Sequence, residues 1–207
     1  MDRHEAAVVG GSLVSLLPGI NQRQREAVKL ASLWAEDATM NDVPHESAEA
    51  QYRYYLRKLM HLGTDAKSAE QVHWPDPQRA IKVEQVLGRI NAVAGEVHAS
   101  HMSLTFEALK RNGKPLLHFE SQSNQRAQFQ LLSCAPSSSN YVDIVLYHEA
   151  GEGSAFTAGF LFRERRNMRV NAELVRFNTL QFDLLWRSAV EGGLQVMSLK
   201  DIHEMEI

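Results

Sequence analysis

The stretch Arg79–Gly113, RAIKVEQVLGRINAVAGEVHASHMSLTFEALKRNG, decides how the rest of the chain is read. Through it Val83, Leu87, Ile90, Ala94, Val97, His101, Leu104 and Ala108 recur in steps that alternate between four and three. That is a seven-residue repeat, the mark of a helix with one packed seam. The pattern predicts a single helix over about residues 79–111, stopped by Asn112-Gly113. At 1.5 Å per residue, roughly 30 residues make a rod of about 45 Å. A second row, Gly88, Ala92, Gly95 and Ala99, is small enough to admit a neighbouring backbone. The helix is therefore expected to be contacted on two sides, by the rest of the chain or by a second copy.

Two more helices are expected before it. Asn21 is placed to cap the first, in which Ala27, Leu30, Ala31, Trp34 and Ala38 share a face. The second spans about 46–62, with Tyr52, Tyr55, Leu56, Leu59 and Leu62 inward and Gly63 to end it. Trp74-Pro75-Asp76-Pro77 must break regular structure. The apolar run Val8–Ile20 is shorter than the roughly 20 residues a membrane span needs. It also lacks the basic start and cleavage pattern of a secretory signal. It is expected as an N-terminal arm, either packed on the body or mobile and able to dock on a partner or membrane.

Beyond Gly113 the period falls from 3.6 to 2. Candidate strands are Leu116–Ser121, Ala127–Cys134, Tyr141–Tyr147, Phe156–Arg163 and Met168–Phe177. Asn178 then opens a helix expected to bury Phe182, Leu185, Trp186 and Ala189, with Gly192-Gly193 at its end. The tail Asp201–Ile207 alternates and is a candidate edge strand. Segregated helices and strands give an α+β class. The expectation is one domain over 1–207: residues 1–113 mainly helical, packed on an antiparallel sheet of about five strands in 114–207, with a C-terminal helix.

Composition narrows the function classes. With 207 residues, 44% hydrophobic and 23% charged, the chain can bury a core without staples. Its formal charge of −3 provides no overall positive field, so no nucleic-acid partner is expected. The single cysteine, Cys134, forbids an intrachain disulfide and fits a reducing, cytoplasmic setting. Cys134 lacks a cation, helix start or histidine beside it in sequence, so a core role is expected rather than a nucleophilic one. Neither G-x-S-x-G, a phosphate loop nor G-x-G-x-x-G occurs, so no catalytic residue and no cofactor is named.

Three constellations remain. His98 and His101 share a helix face and are the metal-ligand candidates, although zinc chemistry needs a third ligand. Tyr52, Tyr54 and Tyr55 can form an aromatic contact patch. Arg163, Arg165, Arg166 and Arg169 crowd one expected hairpin end, where guanidinium forks suit anions or a partner. These favour a non-enzymatic protein that binds a protein partner or itself as a homo-oligomer, using the tyrosines and arginines. Whether the chain is an enzyme stays open. One alternative is a membrane-active effector or toxin using the apolar arm and amphipathic helices. The other is a metal-dependent or small-ligand enzyme built on His98 and His101.

Overall fold

In a computed structural model, which describes residues 3–73, 80–151, 156–165, 169–195, 201–205 and 207, the chain begins with strands rather than an arm. β1 (Glu5–Val9) and β2 (Ser12–Leu16) are followed by α1 (Gln22–Asp42), α2 (Ala48–His61), β3 (Thr64–His73) and β4 (Ala80–Ile81). Next come α3 (Lys82–Ala94), α4 (Glu96–Arg111), α5 (Gly113–Arg126), β5 (Gln128–Ser138) and β6 (Tyr141–Ala150). A 3-10 turn (Phe160–Phe162), β7 (Glu164–Arg165), β8 (Arg169–Asn178), α6 (Thr179–Leu185), α7 (Arg187–Gln195) and β9 (Ile202–Met205) complete the order.

The class is α+β, but the expected five-stranded antiparallel sheet is replaced by a seven-stranded mixed one. Its order is β3-β8-β6-β5-β2-β1-β9. All neighbours are antiparallel except β2 and β5, which run parallel. The physical reason lies in the Val8–Ile20 run. Gly10 takes φ 56° at the turn, so the run folds into the β1–β2 hairpin and enters the middle of the sheet. Ala7 and Val9 point to one core while Ala6 and Val8 point to the other, all with no exposure. A run apolar at successive positions is what a strand covered on both faces requires. The N-terminal segment is thus buried sheet and is not free to dock elsewhere.

Helices cover both faces. α1, α2, α6 and α7 pack with Val14, Leu16, Leu132, Ile144 and Val175. α3, α4 and α5 pack with Leu13, Phe129, Leu131, Val145 and Tyr147. Each fully buried Val, Leu or Phe contributes about 1.5–3 kcal/mol.

The long helix is broken at Gly95. Its φ of 85° and ψ of 176° lie where only glycine goes without cost, and α3 and α4 pack against each other instead of forming a rod. The expected seam is also rotated. α4 buries His98, Met102, Thr105, Phe106, Ala108 and Leu109, whereas Val97 is 60% and Leu104 49% exposed. The small-residue row admits no close neighbour, since a Cβ at Gly88 or Gly95 would meet nothing within 4 Å.

Two expected strands are absent. Residues 116–121 lie in α5, where Phe119, Glu120 and Ser123 are buried at helical spacing. Phe156–Arg163 holds the 3-10 turn, with Phe156 and Phe160 in the core. The Trp74–Pro77 break lies outside the described residues. Asn21, α2, β5, β6, β8 and the edge strand β9 form close to where the sequence puts them.

Candidate functional site

α2 presents Tyr52 and Tyr55, three residues apart, to the sheet. They are only 5% and 3% exposed and form no surface patch. The Tyr52 hydroxyl donates to Glu173 on β8, and its ring stacks on His148 of β6 at 4.4 Å. The Tyr55 hydroxyl is 3.0 Å from Ser32 Oγ. A relay continues from His148 Nε2 to Gln128 Oε1 at 2.8 Å, then from Gln128 Nε2 to Gln51 Oε1 at 3.0 Å. Beside it, Glu36 accepts from the Gly11 N–H at 2.6 Å, the Ser12 hydroxyl and Arg126. A Cβ on Gly11 would stand 2.7 Å from Arg126 Nη1, so a bare glycine lets this pair close. The cleft among these groups encloses about 30 Å³, room for roughly two waters. Burial pushes Tyr52 well up, raises Glu173, and holds His148 down at about 3. The side chains in this relay are bonded to one another, so the cleft is a structural polar core. Tyr54 lies nearer the surface, donating to Asp42 under Arg57 and Lys58.

A second polar seam lies under α4. His98 Nδ1 is 3.0 Å from Ser133 Oγ, and both residues are buried. His101 Nδ1 instead bonds the Val97 carbonyl at 2.8 Å, and its ring meets His4 edge-on at 5.0 Å. His4 Nε2 is 2.8 Å from Ser15 Oγ and 3.3 Å from Thr105 Oγ1. Ser15 and Ser133 are opposite partners in the parallel β2/β5 pair. The two candidate ligands thus turn to different partners. Among the described residues no group of three or more His, Cys, Asp or Glu could hold a metal ion.

Under α3, Lys82 Nζ meets Glu149 Oε1 at 2.7 Å with both side chains at most 2% exposed, and the Tyr147 hydroxyl donates to the other carboxylate oxygen. Arg169 pairs with Glu49 of α2, Arg163 is exposed after the 3-10 turn, Arg165 sits in β7, and Arg166 lies outside the described residues. Cys134 is fully buried, and burial pushes its thiol up.

The sequence reading missed an apolar tip. Leu180, Leu184 and Leu185 of α6 are 36%, 72% and 63% exposed, and Met60 at the end of α2 is 47% exposed. Leu185 was expected inside. α6 instead ends at Trp186, whose φ of −123° breaks the helical phase before α7. The Trp186 ring leans on His61 at 4.4 Å, which ties the tip to α2. Leu184-Leu185-Trp186, an apolar triplet where a lone amphipathic helix needs a polar face, was the available signal.

These features define a three-layer α/β/α protein with ionisable seams inside and leucines outside. No known family matches the sequence, and no curated protein matches it. Two solved structures resemble the fold at low identity. One is a delta-endotoxin, at a TM-score of 0.44 and 10% identity, covering 81% of this chain and 80% of that one. The other is the Evf virulence factor, at a TM-score of 0.35 and 12% identity, covering 97% and 84%. At TM-scores below 0.5 neither likeness defines a shared activity. Among the described residues no helix is long and apolar enough to cross a membrane.

Proposed function

We propose that this protein acts at a membrane surface, with the α6 tip as its point of contact. The observation that carries this is the exposure of Leu180, Leu184 and Leu185 on two turns of one short helix. Behind them Trp186, half-buried, packs on the core and against His61 and so anchors the tip to the body. A row of α2, Arg53, Arg57 and Met60, runs along the outside to the same end. Arg23, at 58% side-chain exposure, stands against Asp183 of α6. Cations beside an apolar projection fit an anionic lipid surface. This keeps the membrane-active alternative and moves its contact from the N-terminal hairpin to α6.

The test is flotation with vesicles of phosphatidylcholine and phosphatidylserine at low salt. The wild-type protein is expected to float, and the double variant Leu184→Ser/Leu185→Ser to remain at the bottom. Two leucines returned to water cost about 3 kcal/mol or more of binding, while exposed sites leave folding nearly unchanged. Wild-type protein that never floats overturns the reading. A native mass at a multiple of 23.3 kDa that the double variant loses would make the tip a contact between copies instead.

A further inference from the structure

The residues beneath α4 are unusual for a helix that shields a sheet. Met102, Phe106 and Leu109 pack on the apolar core that includes Leu13 and Leu131. Beside them, polar groups carry the contact to β5 and to the segment before β1: His98 on Ser133, and His4 on Ser15 and Thr105. We infer that the seam between α4 and the β2/β5 pair is an acid-sensitive latch, in which protons on His4 and His98 lift α4 from the sheet. The inference goes beyond membrane binding and stands without it.

The surroundings decide what a proton would meet. His4 faces the His101 ring of α4, with Arg25 of α1 also acting on it. His98 faces Ser133 of β5, with His101 and Asp143 of β6 in electrostatic reach. Asp143 is held by both arms of Arg176, at 2.7 and 3.0 Å. Glu5, next to His4, is engaged by Lys29 and by Arg25. A charged imidazole at His4 therefore joins a neighbourhood of like charge, whereas at His98 burial opposes the proton and Asp143 partly offsets it.

Burial comes first, then the charges of His101 and Arg25, in holding His4 down at about 4; burial lowers His98 as well. The sign follows. A histidine depressed in the closed state and ordinary when released favours closure above about pH 6.5. That advantage drains away as pH falls toward the closed-state value. His4 is only partly buried, so solvent screening trims its effect to on the order of tenfold at pH 5.

Hydrogen exchange of the full chain, without lipid, tests this at pH 7.4 and pH 5.0 after correction for intrinsic rates. Protection of the α4 amides is expected to fall on the order of tenfold at pH 5.0 and, unlike any loss in β6, to depend on His4 and His98. The double variant His4→Gln/His98→Gln is expected to keep α4 protected at both values. If that variant does not fold, His4→Gln alone is expected to remove part of the response. Wild-type α4 protection that is the same at both pH values overturns the latch, and so does an equal loss in the histidine variants. Flotation of the same samples separates the two readings: α4 can respond to acid while vesicles are ignored, or the reverse.

Discussion

Lys82 and Glu149 show what a single residue can be worth when its partner is dry. Neither side chain exceeds 2% exposure, and Tyr147 donates to the same carboxylate. Breaking a buried pair by removing one partner typically costs about 3–5 kcal/mol, whereas replacing both can be nearly neutral. Lys82→Met is expected to lose that amount in urea unfolding. Lys82→Met/Glu149→Gln, which keeps an acceptor for Tyr147, is expected to recover most of it. A double variant no better than the single one would mean that Lys82 acts through packing rather than charge. Cys134 has a related consequence. A thiol at no exposure, with burial favouring its protonated form, is expected to react with a disulfide reagent only at the rate of global opening. Rapid modification in native buffer would contradict the burial.

Among the elements, two glycines of the quoted stretch are expected to respond oppositely to alanine. Gly88 lies inside α3 with open space around a Cβ, so Gly88→Ala is expected to stabilise by about 0.5–1 kcal/mol. Gly95 has equal space but φ 85°, so Gly95→Ala is expected to destabilise by about 1–2 kcal/mol. Thermal unfolding of the two variants checks both signs. This contrast also shows why the break was not legible. A seven-residue count sees side chains and is blind to φ, and glycine was read as a small side chain. Local chemistry carried further where it was self-contained. Asn21 accepts from the Gln24 N–H and Gln24 answers to the Asn21 N–H, and Asn178 caps Gln181 likewise. The strand pairing that puts residues 12–16 beside residues 130–134 depends on contacts more than a hundred positions apart, and no local pattern encodes it. The candidate site divides the same way. His98 and His101 are on one helix in the sequence, but their partners come from far along the chain, Ser133 from β5 and His4 from just before β1.

At the scale of the whole molecule, acidity weighs on more than one layer. His148 is held down at about 3 by burial, so its neutral form stabilises the fold above about pH 6.5 and that contribution is lost as pH drops toward 3. Glu173 works the other way. Burial raises it, so its contribution is present below the ordinary carboxyl range and is lost as pH rises through the raised value. Between pH 7 and pH 4 the histidine contribution is the one being lost, and the melting temperature is expected to fall over that range. His148→Gln, an uncharged acceptor and donor, is expected to flatten that slope. A melting temperature that rises on acidification would mean that Glu173 and its neighbours dominate.

The parallel pairing of β2 with β5 also bears on how the chain is made. The β1–β2 hairpin leaves the ribosome well before its outer neighbours, since β2 and β1 take them, β5 and β9, from beyond residue 127. Synthesis runs at about 5–20 residues per second. The hairpin must therefore wait several seconds with both edges unpaired. It is the segment a nascent-chain chaperone would meet, and the register in which it is released governs how much of each newly made chain reaches the sheet.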